Sequence, residues 1–226
     1  MAGSSIESEL GVAEVATVVM GIMDGAEEGQ ELDAVTESLI ALAVRACGTT
    51  LDLAGTKEHL EIAFDAGATP EQVQETLVLI AGIGIHGLIA TSGIIADTLR
   101  RRGYATMIEP LDQEQSARFH EFGGDDPREA RIAGVAPEFL PNLVRLSPES
   151  TVKAVMNFRA APWFGETLTP LQREFIGISV DSMPSHRFLP TLRLHVARAR
   201  ELGAGRAQVR GVLRIAAAAP PHRGVR

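Results

Sequence analysis

The chain has 226 residues, 45 % apolar and 22 % charged, enough for one large domain or two small ones around an ordinary core. Aromatic residues make up only 4 %, which favours helices over strands. The net charge of −8 argues against a dedicated nucleic-acid binder, and the single cysteine, Cys47, excludes an intrachain disulfide and fits a reducing, cytoplasmic setting.

In chain order, residues 11–23 read as a first helix, broken by Asp24-Gly25 and Gly29. Residues 34–47 read as a second, with Leu39, Ile40, Ala43 and Val44 on one face. Residues 52–66 make a third, ended by Gly67. Thr69-Pro70-Glu71-Gln72 starts a fourth, with threonine as N-cap and proline at the first position, running to about Ala81. A fifth spans about Leu88 to Arg102.

The uncharged stretch Leu77–Ala96 is long enough to cross a bilayer, but four glycines and His86 interrupt it. A buried helix pair bent near Gly84–Gly87 fits it better, and no membrane partner is expected. The N-terminus is acidic and lacks a basic segment ahead of its apolar stretch, unlike a signal peptide.

Residues 105–135 are polar and broken by Pro110, Gly123-Gly124 and Pro127, and read as a linker. Helical signals resume at Pro137, at Ser147-Pro148-Glu149, at Thr169-Pro170, at Pro190 and at Arg206. No stretch alternates with period 2, so the chain reads as all-α. Charge is uneven: −16 over residues 1–126 and +8 over residues 127–226. Such halves attract each other or their counterparts in an oligomer.

A shift of 136 lays residues 59–86 on 195–222 with nine identities in 28 positions: His59/His195, Ala63/Ala199, Gly67/Gly203, Ala68/Ala204, Gln72/Gln208, Val73/Val209, Leu77/Leu213, Ala81/Ala217 and His86/His222. The same shift keeps apolar register upstream, pairing Ile40 with Ile176 and Val44 with Val180. The chain therefore reads as two tandem helical-bundle units, 1–104 and 136–226. The second stops four residues after His222, whereas the first continues for another helix.

Each copy places a histidine eight residues before its terminal glycine. Glu37-Ser38-Leu39-Ile40-Ala41-Leu42-Ala43, His59 through Thr69, Val73-Gln74-Glu75, Leu168-Thr169-Pro170, Arg173-Glu174-Phe175-Ile176 and His195 through Gly203 resemble the carboxymuconolactone decarboxylase and alkylhydroperoxidase-D-like superfamily. The segment from Ala136 to Arg159 is similar to the family's lead-in helices. The resemblance implies the corresponding all-α fold.

In the peroxidase branch of that family, two cysteines precede the histidine by seven and four residues. Those places hold Asp52 and Gly55 in copy one, and Phe188 and Thr191 in copy two. Without a thiolate and a resolving thiol, dithiol peroxidase chemistry is excluded. The decarboxylase branch also lacks the cysteines and needs no cofactor. By resemblance, a lactone acid would lose carbon dioxide and receive a proton on carbon, a step suited to an imidazole.

The expected catalytic residues are His59, His195 and Glu174, with Asp52, His86 and Trp163 as substrate-binding candidates. His59 carries the larger expectation because its copy is complete. No metal-ligand spacing is apparent. The resemblance further implies a small-molecule substrate and a homo-oligomer, a trimer of two-unit chains. A hydrolase, isomerase or cyclase on the same fold remains open, as does a non-catalytic helical assembly or ligand-binding protein.

Overall fold

The computed structural model describes residues 11–104, 109–123, 127–161 and 164–224. Its helices are α1 Val12–Ile22, α2 Ala34–Ala46, α3 Leu53–Asp65, α4 Pro70–Ala81, α5 His86–Arg101, α6 Gln113–Gly123, α7 Pro127–Val135, α8 Phe139–Leu146, α9 Glu149–Ala160, α10 Pro170–Ser182, α11 Leu189–Glu201 and α12 Arg206–Ala217. There is no strand among the described residues, and the chain is all-α.

The caps explain the boundaries. Asp33 accepts from the Thr36 amide at 2.9 Å to start α2, and Thr169 and Gln172 cap α10 reciprocally. Gly67 and Gly203 close α3 and α11 at φ 97° and 88°, a conformation that favours glycine. The expected break at Gly84–Gly87 takes the form of a 3-10 turn, Gly82–Ile85, between α4 and α5. By length and composition alone, the 32-residue run Pro70–Arg101 would suffice to cross a membrane, a test that core helices also pass.

Two compact units emerge, and they do not follow the sequence repeat. One comprises residues 11–80 and 167–224; the other comprises residues 81–104, 109–123, 127–161 and 164–166. In the first unit, α2 packs on α3, and α10 on α11. The helices α2, α10 and α12 also meet one another, and α1 lies on α11. Leu39, Ile40, Leu42, Phe175, Ile176, Ile178, Met183 and Leu192 are fully buried there. Burial runs unbroken from Glu174 to Ser182, so α10 is covered on every side.

Positions 136 apart share backbone detail. Leu51 and Arg187 both take positive φ, at 43° and 46°. The amides of Asp52 and Phe188 donate to the carbonyls of Arg45 and Asp181, at 3.0 and 2.8 Å. Residues 136 apart also touch: Gln172 Nε2 donates to Thr36 Oγ1 at 3.0 Å, and the Thr49 and Ser185 hydroxyls lie 3.1 Å apart. These contacts lie near the starts and just beyond the ends of α2 and α10, so the two helices run parallel. A residue meeting its own counterpart is the mark of a two-fold contact.

The second unit builds on α8, which packs on α5, α6 and α9. Phe139, Leu140, Leu143 and Val144 form its core, and Asn142 Nδ2 donates to the Ser92 carbonyl at 2.6 Å. The polar stretch read as a linker is helical through α6 and α7. Asp112 and Gln115 cap α6 reciprocally, and Glu114 pairs with Arg118 one turn on. Composition hid α6 because it buries no side chain fully.

Candidate acid–base site

The site in the first unit is built on α10 and α11. Thr169 and Pro170 set the phase of α10, which places Glu174 and Asp181 seven residues apart on one face. His195 sits midway along α11. Its Nδ1 lies 2.7 Å from Glu174 Oε2, and its Nε2 lies 3.9 Å from Asp181 Oδ2. Thr191, one turn before His195, donates to the same Asp181 oxygen at 2.5 Å. His186 Nε2 stands 3.6 Å from Asp181 Oδ1.

Gly177 makes this approach possible. A Cβ there would stand 2.8 Å from His195 Cε1 and Nδ1, too close for real atoms. The imidazole therefore lies directly over α10.

The electrostatics follow from the packing. Burial disfavours charge on His195, but the Glu174 hydrogen bond and the charges of Glu174 and Asp181 outweigh it, raising the imidazole above its ordinary value. Burial dominates at Asp181 and pushes its carboxyl to about 7, against the pull of His195 and Thr191. Burial lowers His186. The cluster thus sets a carboxyl titrating at about 7 beside an imidazole held above its ordinary value, a pair suited to proton exchange.

A neighbouring network braces α10. Glu75 Oε2 accepts from the Thr167 amide, the Thr167 hydroxyl and the Leu168 amide, at 2.8, 2.6 and 3.1 Å. Arg173 holds the other oxygen through Nε at 2.9 Å and Nη2 at 2.7 Å. Burial opposes the charge of Glu75, yet Thr167 and Arg173 hold its carboxyl below the ordinary range.

The α2–α3 pair is different. Ser38 stands where α10 has Glu174, and its hydroxyl donates to the Val35 carbonyl at 2.7 Å. His59 Nδ1 is buried without a hydrogen-bond partner. Burial and then Arg45 lower the His59 pKa, against Glu58 and Asp52. Asp52 caps α3, accepting from the Gly55 amide at 3.3 Å.

Of the residues expected from sequence, Glu174 and His195 are brought into direct contact. His59 and Asp52 share α3 and its cap. His86 opens α5 in the second unit and is buried. His222 is exposed after α12, its Nδ1 accepting from the Gly224 amide. Trp163 lies outside the described residues. Sequence reading missed Asp181, Thr191, His186 and Gly177. One signal was available for Asp181: it is a lone charge ending the otherwise uncharged run Phe175–Val180.

A solved structure from Burkholderia xenovorans LB400, of a candidate gamma-carboxymuconolactone decarboxylase subunit, is 30 % identical to this chain, with a TM-score of 0.66. The match covers 82 % of this chain and 71 % of that one.

The chain belongs to the carboxymuconolactone decarboxylase and alkylhydroperoxidase-D-like superfamily.

No protein-family model matches the chain, and no curated protein matches it. Within the superfamily, this member has no Cys-x-x-Cys pair, Cys47 being its single cysteine. The Cys47 thiol is buried and pushed up by that burial, which makes it a poor nucleophile.

Proposed function

We propose that this superfamily member is a cofactor-independent acid–base enzyme acting on a small carboxylated lactone or keto/enol substrate, by decarboxylation. The 2.7 Å contact between His195 Nδ1 and Glu174 carries the reading. Glu174 fixes the ring so that Nε2 faces the reacting carbon and stabilises the imidazolium. As the carbon–carboxylate bond breaks, carbon dioxide leaves and its electron pair passes into the adjacent carbonyl as an enolate. His195 then gives its Nε2 proton to carbon, and Asp181, titrating near 7, is placed to restore it. Gly177 and Thr191 hold the ring and the acid in register.

Structural likeness to the candidate decarboxylase subunit supports the substrate class. His195 is favoured over His59 as the acid–base group, because no acid is hydrogen-bonded to His59 Nδ1 in the α2–α3 pair. The shared backbone at 136-residue spacing supports an origin by internal duplication. A cytoplasmic location and a homotrimer of two-unit chains complete the reading.

The test is a panel of carboxylated lactones, followed by carbon dioxide release and loss of the lactone chromophore. Release with at least one lactone acid is expected, and Glu174→Gln should slow it by about 10- to 100-fold. No turnover across the panel, or full activity in Glu174→Gln, contradicts the proposal.

A further inference from the structure

His186 stands beside the acid–base cluster without a part in the reaction. It lies in the turn between α10 and α11. The same turn joins α2 to α3. The Thr50 and His186 amides donate to the carbonyls of Cys47 and Met183 at 2.9 and 3.0 Å, and Leu51 and Arg187 follow at positive φ. The backbone therefore does not require an imidazole. In the first copy Thr50 is fully buried, and its hydroxyl donates to the Val44 carbonyl at 2.8 Å. In the second, His186 sets its Nε2 3.6 Å from Asp181 Oδ1, with its ring tilted beside Phe188 at 5.9 Å between centroids. Under the 136-residue shift, Arg45 stands at the place of Asp181 and Thr50 at that of His186. The acid and the imidazole thus occur together in one copy, and neither occurs in the other.

Each decarboxylation consumes one proton from water. His195 delivers it to carbon from Nε2, and a substrate seated against that nitrogen closes the direct way in. Asp181 lies next to it, but its side chain is only 1 % exposed, so it has no water of its own to draw on. Its Oδ2 lies 3.9 Å from His195 Nε2 and its Oδ1 lies 3.6 Å from His186 Nε2, while the His186 side chain keeps 14 % of its surface. One carboxyl is bracketed by two imidazoles, and the outer one reaches solvent. A side-chain rotation or a single water spans each gap. Burial raises the Asp181 carboxyl and lowers the His186 imidazole, so transfer from protonated His186 to the Asp181 carboxylate runs downhill.

We propose that His186 is the proton inlet of the His195 site, taking a proton from water and passing it through Asp181 to His195 Nε2. After His195 has protonated carbon, Asp181 gives its proton to the neutral ring. His186 accepts a proton from water at Nδ1 and gives its Nε2 proton to the Asp181 carboxylate. Each turnover releases one carbon dioxide and takes up one proton, and all three groups return to their starting charge. His186 acts through Asp181 and never touches substrate. The proposal rests on the reading of His195 as the proton donor.

Two experiments on the full-length protein test it. Without substrate, the ring nitrogens of His186 and His195 are followed by NMR from pH 5 to pH 9 in 15N-histidine-labelled protein. Both should report one shared step at about 7, the ionisation of the carboxyl between them, and Asp181→Asn should remove it from both. A step seen at His195 but not at His186 overturns the link. With a lactone acid that the wild type decarboxylates, His186→Gln keeps the bulk, and His186→Thr installs the residue that the same turn carries in the first copy. In weakly buffered solution both should lose kcat at least about tenfold with kcat/KM unchanged. Free imidazole should restore kcat in His186→Thr, a rescue that a merely structural role would not show. Unchanged kcat in both variants, or a loss that imidazole does not restore, overturns the inlet. No turnover on any lactone with the shared step intact overturns the reading of the reaction and leaves the link standing.

Discussion

Gly177 concentrates the residue-scale argument, since a single methyl group there would meet the His195 ring at 2.8 Å. Gly177→Ala is expected to push the imidazole off Glu174 and cut turnover by about 10- to 100-fold, a loss typical of misplaced catalytic groups. The measurement is steady-state turnover beside a melting curve; unchanged turnover in a folded variant would contradict the geometry. Asp181 gives a pH prediction. Its carboxyl rises from 3.8 to about 7 on folding, so the native state holds this proton more tightly than the unfolded chain does. Its contribution to stability is complete below the unfolded value and is lost as pH rises towards about 7. His195, also raised, acts in the same direction, its contribution lost as pH rises through its folded value. The melting temperature of the wild type should therefore fall relative to Asp181→Asn between about pH 4 and about pH 7. Parallel curves would show that Asp181 is not buried as described. His195 was legible in sequence because the repeat matches it to His59, and Glu174 because the family resemblance marked it, although the repeat puts Ser38 at its place. Asp181 was not, because its counterpart is an arginine and the repeat offered no matching acid.

At the scale of elements, most helices were legible because their ends are written in short-range chemistry. Asp33, Thr169 and the glycines at 67 and 203 announce their caps in the sequence itself. The segments around α6 and α7 were not legible, because a polar helix without a buried face has no hydrophobic period to read. The Glu75 network belongs to this scale, since it ties α4 to the start of α10. Glu75→Ala removes one partner of a largely buried ion pair and leaves the Thr167 and Leu168 amides unsatisfied. A loss of about 2–4 kcal/mol is expected, read as a clear drop in melting temperature. Because the Glu75 carboxyl is lowered, its stabilisation is present above the unfolded value of 4.5 and is lost as pH falls. A variant as stable as the wild type at neutral pH would show that the network does not brace α10.

At the scale of the molecule, the all-α class followed from composition and periodicity, but the compact units did not. Contacts such as Thr36 with Gln172 join residues 136 apart, and no local pattern reveals which distant helices will meet. The opposite charges of the two sequence halves were visible from the start. If the chains assemble as proposed, sedimentation should give three times the 24.1 kDa chain mass. Salt should loosen any part of the contact held by charge. A monomer at micromolar concentration would contradict the assembly without touching the acid–base site.

The central claim is that proton transfer belongs to the α10–α11 copy. It is tested most directly by comparing carbon dioxide release from an active lactone acid in His195→Ala and His59→Ala. The proposal predicts that His195→Ala loses turnover by at least about a thousandfold, as for removal of an acid–base group, while His59→Ala retains it. Full turnover in His195→Ala, with loss in His59→Ala, would contradict the claim.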